Sequence, residues 1–361
     1  MAKKPLALLS ADWHVRKGDY VWPRIPLLKG DVSNSIQQIT EIAENQDVRY
    51  VFLVGDILEK QTQTSDVAQV LRSAMDTFKR REQPVFYVQG QHELADPPWL
   101  GAVHDWPRHT KSDELVFLAS GEEAFTMRGC DYLPPDKAED VLKGLPPADI
   151  LLTHQVWNHP SYLGSYGYVD TAWVPDHYKM VVTGDYHVHQ AGVIDNKVFL
   201  SPGSIAMQKI DEAPDKYVYI LYDDLSYKSV QLKTRPFVEV AIDTADELER
   251  FISEWDGVDA DGIDIPLYRV RFNAELLDAK ARITRCVKHQ AHLYLDPYRH
   301  VVDAPDVSLS DIQKAIDDNG LVGCIKELYG DDVSVMQAAI RLIESNNVEE
   351  EIKAIFTQED K

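Results

Sequence analysis

Cysteine is scarce in this chain, and so is positive charge. Three cysteines, Cys130, Cys286 and Cys324, lie far apart in 361 residues. That number and spacing exclude a disulfide framework and a cysteine-rich zinc module, and suit a reducing compartment. Lysine and arginine number 37 against 59 aspartates and glutamates, a formal net charge of −22. So acidic a balance excludes a protein that grips DNA or an anionic membrane by bulk charge. It leaves room for a local basic groove, or for bound cations that reverse the sign at one site. Long hydrophobic runs are absent as well. The opening MAKKPLALLSADWH meets Asp12 and His14 after a short apolar stretch, too short and too soon charged for a signal peptide or membrane span. A cytoplasmic protein is expected. Internal repeats, low-complexity tracts and long linkers are also missing. What remains is an ordinary globular composition, 44 % hydrophobic and 27 % charged, at a length that suggests about two domains.

The first 236 residues alternate strand and helix signals. Leu6–Ser10, Tyr50–Val54 and Val85–Val88 read as buried strands. Between them, Ile36, Ile39, Ile42 and Ala43, then Val67, Val70, Leu71, Ala74 and Phe78, repeat at helical spacing. The order predicts an α/β sheet with right-handed crossovers. Further short strands are expected at Ile150–Thr153, Lys179–Thr183, Val198–Leu200 and Tyr217–Tyr222, with few helices between. Past Arg235-Pro236-Phe237 the pattern becomes a smaller unit. Its strands are expected at Val238–Ile242, Pro266–Phe272 and His292–Leu295, its helices at Ala245–Trp255 and Glu275–Val287. From Ser308 the chain reads as helices, with Val348, Ile352, Ile355 and Phe356 on one face. The expected division is 1–236, 237–305 and 306–361. The last 125 residues carry 27 acidic and 13 basic side chains, a poor balance for a DNA-binding arm.

Five short segments carry the chemistry, four of them just after expected strands. They are Asp12-Trp13-His14, Gly55-Asp56-Ile57-Leu58-Glu59, Gly90-Gln91-His92-Glu93, Thr153-His154 and Gly184-Asp185-Tyr186-His187-Val188-His189. Groups at the carboxyl ends of strands in an α/β sheet converge on one edge. Carboxylates, imidazoles and an amide suit manganese, iron or zinc with several oxygen ligands, and not a thiolate site.

In order and content these segments resemble the calcineurin-like metallophosphoesterases, whose signature reads D-x-H, G-D, G-N-H-[DE], H and G-H-x-H. The turn Ser201-Pro202-Gly203-Ser204 and the smaller unit beyond residue 236 narrow the likeness to SbcD-type nuclease subunits of double-strand-break repair, including phage recombination endonuclease subunits. That likeness implies a layered metallophosphoesterase domain of the α/β class, a smaller α+β capping domain that guides DNA, and a C-terminal helical segment. It implies that Asp12 and His14 bind a first metal, that Asp56 bridges two, and that His154 and His187 complete the set. Gln91 stands where the family has asparagine, and Asp185 where it has the first histidine of the last motif. Both stay plausible ligands for a hard cation and favour manganese or magnesium over zinc. His189 is an alternative ligand to His187. Two cations clamping a phosphodiester would neutralise it and activate water. His92 resembles the non-ligand histidine that protonates the leaving oxygen. Glu59 sits where SbcD-type relatives place a residue orienting that histidine, so a Glu59–His92 hydrogen bond is expected.

The resemblance further implies 3′-to-5′ exonuclease and single-strand endonuclease action on DNA, an SbcC-like SMC-type ATPase partner, and a homodimer. The likeness also implies a bacterial or phage-infected cell, and no membrane partner is expected. Arg282, Arg285 and His289 fall on one helical face and are candidate phosphate contacts. Residues near 335–356 are expected to help dock the ATPase. Two other functions stay open: a small-molecule phosphodiesterase or phosphatase of the same fold, and a catalytically weak scaffold for the ATPase. Trp13, Trp99, Trp106, Trp157 and Trp173 are expected to pack beneath the metal loops.

Overall fold

The computed structural model describes residues 3–19, 29–61, 64–120, 123–158, 168–255, 262–287 and 292–298. His289, Cys324 and the helices expected from Ser308 onward, 335–356 included, lie outside the described residues. Along the chain run β1 (Pro5–Ser10), α1 (Asp31–Asn45), β2 (Tyr50–Val54), α2 (Ser65–Arg80), β3 (Val85–Val88), α3 (Trp99–Val103) and β4 (Arg108–His109). There follow β5 (Val116–Ser120), β6 (Glu123–Cys130), α4 (Pro135–Lys143), β7 (Ile150–His154), β8 (Trp157–Asn158), β9 (Val169–Asp170) and β10 (Met180–Gly184). Next come β11 (Gln190–Ile194), β12 (Lys197–Ser201), β13 (Lys216–Tyr222) and β14 (Tyr227–Leu232). The last described elements are β15 (Phe237–Ile242), α5 (Ala245–Ser253), β16 (Leu267–Asn273), α6 (Ala279–Val287) and β17 (His292–Tyr298).

Two six-stranded sheets form the body, ordered β14-β13-β1-β2-β3-β4 and β11-β12-β10-β7-β6-β5. β1, β2 and β3 pair in parallel, as do β6, β7, β10 and β12. The side-chain alternation of a strand explains the layering. In β2, Phe52 and Val54 face the second sheet, while Val51 and Leu53 face α1 and α2. In β7 and β10, Ile150, Leu152, Met180 and Val182 meet the first sheet, and Leu151 and Val181 face α4. The order is therefore helix, sheet, sheet, helix, with one core between the sheets and one outside each. Every strand of the centre is apolar on both faces, as doubly covered parallel strands must be. Each fully buried aliphatic or aromatic side chain contributes ~1.5–3 kcal/mol to this arrangement.

The expected strands and helices of the first 236 residues are all present at or near their expected bounds. The hairpin β5–β6, the helix α4 and the strands β11 and β14 add to them. β11 and β14 are sheet edges, β11 alternating in exposure and β14 exposed along most of its length, so their apolar signal is thin. The helix α4 opens at Pro135 and buries only Ala138 and Leu142.

The third sheet, β15-β16-β17, has its own core of Ile242, Leu248, Val270, Phe272, Ala279, Ile283 and Val287. Helix α5 starts in a capping box, Thr244 accepting from the Glu247 amide and Glu247 from the Thr244 amide. Arg235, only 7 % exposed, anchors the start of this region. Its guanidinium forks onto both carboxylate oxygens of Asp31 (3.0 and 2.9 Å) and donates to the carbonyls of Gly262, Ile265 and Lys29. Trp13 and Trp157 are fully buried, and Trp99, Trp106 and Trp173 pack against the two outer cores; Trp106, expected beneath the metal loops, instead donates to the Gln83 carbonyl just before β3, at the opposite end of that strand.

Candidate metal centre

The five segments leave the carboxyl ends of β1, β2, β3, β7 and β10, and the parallel pairing brings them to one edge. Neighbouring loops are stitched together by main-chain bonds. The amides of Asp12 and His14 donate to the carbonyls of Gly55 and Asp56 at 3.1 and 2.9 Å. The crowding needs glycine at the joints. A Cβ on Gly55, where φ is +77°, would lie 2.1 Å from His154 Nδ1, and one on Gly90 would lie 2.0 Å from Asp56 Oδ1. Four site residues that do carry side chains, Asp12, His14, Asp56 and Asp185, also have positive φ. Each such backbone costs roughly 1 kcal/mol or more and marks a site held in place by its surroundings.

Three groups of side chains have ligand atoms close enough to share an ion: Asp12, His14 and His187; Asp12, Asp56 and His154; and His14, Glu59 and His92. The first two share Asp12 and are buried at their heart. His14 Nε2 and His187 Nε2 face each other at 3.1 Å. His154 Nε2 lies 3.4 Å from Asp56 Oδ2 and 3.9 Å from Asp12 Oδ1. Asp12 Oδ2, Asp56 Oδ2, His154 Nε2 and Gln91 Oε1 are buried without a hydrogen-bond partner. Buried polar atoms are ordinarily paired. Four orphans of lone-pair type, carboxylate, imidazole and amide, are the donor set of a divalent cation site.

The ligand orientations are set from behind. His154 Nδ1 donates to the Val54 carbonyl at 2.8 Å, which leaves Nε2 as the free nitrogen. His14 Nδ1 meets Glu59 Oε2 at 2.9 Å, and His187 Nδ1 meets Glu212 Oε1 at 2.7 Å. Asp12 Oδ1 accepts from the Asp185 amide, and Asp56 Oδ1 from the His92 amide, both at 3.1 Å.

Gln91 and Asp185 touch each other: Gln91 Nε2 donates to Asp185 Oδ1 at 2.7 Å, and Tyr168 donates to Asp185 Oδ2 at 3.2 Å. Gln91 keeps its oxygen free. Asp185 has both oxygens engaged and joins none of the three groups among the described residues. Two expectations need correction. The Glu59 carboxylate does not orient His92. It bonds His14 and Arg16, and His92 Nδ1 donates instead to the Glu59 main-chain carbonyl at 2.8 Å. The reach from residue 59 is short enough for its carbonyl, and the buried His14 claims the side chain. His189 is no substitute ligand either. Its Nδ1 donates to the Pro202 carbonyl, its Nε2 meets Ser229, and its ring stacks on Tyr217 and Tyr219.

Burial raises the Asp12 carboxyl above its ordinary range despite His154 and His187 nearby. Burial also opposes ionisation of Asp56, but His154, His14 and His92 outweigh it and hold Asp56 at about 2. His154 is buried, which disfavours its charge, yet Asp56, Asp12 and Asp185 push it up to about 10. The surrounding carboxylates thus favour positive charge at this spot, whether it comes from a proton or from a cation. Glu93, which accepts from the amides of Leu58 and Gly90, is driven up to about 8 by burial and by Asp56.

Sequence reasoning assigned no role to Glu212, Lys216, Gln208, Arg16 or Tyr168. Arg16 donates to Glu59 at 2.9 Å and also to Gln208. The only available signal was position, Arg16 beside the first motif and Glu212 shortly after the Ser-Pro-Gly-Ser turn. Of the expected phosphate contacts, Arg282 is paired with Glu249 at 2.7 Å and Arg285 is exposed on α6; His289 lies outside the described residues. Cys130 is buried, which pushes its thiol up to about 12.

No protein-family model matches the chain, and no curated protein does. Among solved structures the chain is similar to a novel archaeal phosphodiesterase, at 13 % identity over 63 % of this chain and 99 % of that one, with a TM-score of 0.35. It is similar to a protein of Thermus thermophilus, TT1561, at 13 % identity over 64 % and 100 %, TM-score 0.41. A dimetal phosphatase from Danio rerio is similar at 12 % identity over 63 % and 98 %, TM-score 0.41. No helix of the described residues is long and apolar enough to cross a membrane.

Proposed function

We propose that this chain is a metal-dependent phosphodiesterase of the calcineurin-like kind, acting on DNA as the nuclease subunit of an SbcCD-like recombination and repair complex. The observation that carries the phosphoesterase reading is the buried group of orphaned lone-pair atoms on Asp12, Asp56, Gln91 and His154, set beside the facing nitrogens of His14 and His187. Asp12, His14 and His187 would hold one cation. Asp56, His154 and Gln91 would hold a second, with Asp56 proposed to bridge the two, its Oδ2 lying 3.4 Å from His154 Nε2 and 3.8 Å from His14 Nε2. Oxygen donors from Gln91, Asp12 and Asp56 favour manganese, with magnesium next. Such cations, when bound, supply charge neutralisation at the phosphate and acidify the attacking water.

The chain's own residues do the rest. His92 stands at the rim, its side chain 37 % exposed and its Nε2 3.8 Å from Asp56 Oδ2. With Nδ1 fixed on the Glu59 carbonyl, Nε2 is the atom that carries or delivers a proton, and the leaving sugar oxygen is its target. The small unit, with Arg285 exposed on α6, is the part that would guide DNA, and the acidic whole would leave DNA grip to an SbcC-like ATPase. Residues 335–356 are proposed to dock that ATPase, and a homodimer is proposed with them.

Incubating the purified chain with linear duplex DNA and Mn2+, beside bis-p-nitrophenyl phosphate, tests the substrate. Release of nucleotides supports the nuclease reading. Hydrolysis of the small diester alone, with DNA untouched even when the ATPase is present, transfers the proposal to a small-molecule phosphodiesterase. Deleting 335–361 and measuring complex formation tests docking; unchanged binding rejects it.

A further inference from the structure

The two histidines whose Nε2 atoms face each other differ from His154 in what stands behind them. His154 is backed by a neutral carbonyl. His187 is backed by the Glu212 carboxylate, and that carboxylate is itself completely engaged. Its Oε1 takes His187 Nδ1 at 2.7 Å, and its Oε2 takes Lys216 Nζ at 2.8 Å, the Gln208 amide at 2.9 Å and Ser204 Oγ at 3.2 Å. Lys216 is 3 % exposed and also donates to Ser204 at 2.9 Å. Gln208 in turn accepts from Arg16, the cation that holds Glu59 behind His14. One continuous chain of polar contacts therefore links Lys216, Glu212, Gln208, Arg16 and Glu59 around the far side of His14 and His187.

We propose, resting on the metal reading above, that Glu212 is a positioning residue which fixes His187 as an Nε2 ligand, with Lys216, Ser204 and Gln208 fixing Glu212. Donor and acceptor roles decide the orientation. An anionic acceptor at 2.7 Å requires a hydrogen on Nδ1, so the neutral ring presents its lone pair at Nε2. A carboxylate behind a histidine also raises its basicity toward a cation. Buried Lys216 stops Glu212 from turning to solvent or toward the cation itself. The alternative role, a clamp joining the turn after β12 to β13, would affect folding stability and nothing else.

Titration of the full chain with Mn2+, followed by the loss of the free-ion electron paramagnetic resonance signal, separates the two roles. For Glu212→Gln the affinity of one of two sites should fall ~10- to 100-fold. The other site should keep its affinity, while the melting temperature without metal should fall because buried Lys216 loses its anion; an affinity loss confined to one site is the readout that a clamp alone would not give. A Glu212→Gln isotherm superimposable on the wild type overturns the proposal. Should Glu212→Gln melt too low to titrate, Ser204→Ala removes one hydrogen bond to the same oxygen. It should weaken the same site by roughly 2- to 10-fold, and an unchanged isotherm there also overturns the proposal. A wild type that takes up no Mn2+ overturns the metal reading, and this inference with it. Two bound ions with no effect of either variant overturn this inference alone.

Discussion

His92 and His154 show at the scale of single residues how the same side chain is put to different uses. His92 lies at the rim with one nitrogen tethered to a carbonyl, and on the proposed function it is the proton carrier. His92→Ala should therefore retain the wild-type Mn2+ stoichiometry and lose ~10²- to 10⁴-fold in diester cleavage, checked by metal analysis beside a turnover assay. His154 is enclosed by carboxylates that lift it to about 10, against ~6.5 in an unfolded chain. A histidine with a raised folded value contributes stability that is complete below ~6.5 and is lost as pH climbs toward 10. With chelator present, the melting temperature should decline between pH 7 and pH 10 through this group, and His154→Gln should flatten the decline. Glycine matters as much as the ligands. Gly55→Ala puts a methyl 2.1 Å from His154 Nδ1 at a positive φ. It should cost several kcal/mol, of the order of a buried clash with backbone strain added, read as a lower denaturant midpoint.

Elements divide into those legible in the sequence and those that were not, and the reason is physical. β1, β2, β3, β7 and β10 are buried on both faces, so each is a short solid apolar run, and each is followed at once by its chemical group. That is why Asp12, His14, Asp56, Gln91, His154 and His187 could be gathered before any fold was seen. β14 shows solvent-exposed and polar positions along most of its length and offers no period to read, and α4 is a nine-residue helix that buries two residues, too short for its period to stand out. The supporting residues were hidden for another reason. Glu212 is set against His187 by a tertiary contact across 25 positions, and nothing local announces such a partner. The Glu59–His92 pairing failed in the same way, because chain distance does not say whether a carbonyl or a carboxylate arrives. The small sheet is tied down through Arg235, whose fork onto Asp31 is buried. Arg235→Met leaves Asp31 without its cation and should cost ~3–5 kcal/mol. Limited proteolysis should then cut the 262–287 region first, with the Mn2+ isotherm unchanged.

The molecule as a whole carries −22 charges, and its own field repels a polyanion. On the proposed function, the isolated chain should show DNA affinity too weak to detect at physiological salt, and adding the ATPase should create it. Gel-shift titrations at two salt concentrations check this; tight binding by the chain alone would contradict it. Saturating Mn2+ should stabilise the fold by ~2.7 kcal/mol per site at a hundredfold excess over the dissociation constant, visible as a higher melting temperature that chelator reverses.

Asp12, Asp56 and Gln91 follow strands of the first sheet, whereas His154 and His187 belong to the second. On the proposed function, an ion held between them would be a rivet through two plates, and its removal would loosen the joint as well as silence the chemistry. Proteases sample loosened joints, so on the proposed function the lifetime of this polypeptide in a cell would track the supply of that ion. Starvation for the ion would then lower the amount of enzyme along with the rate of each molecule.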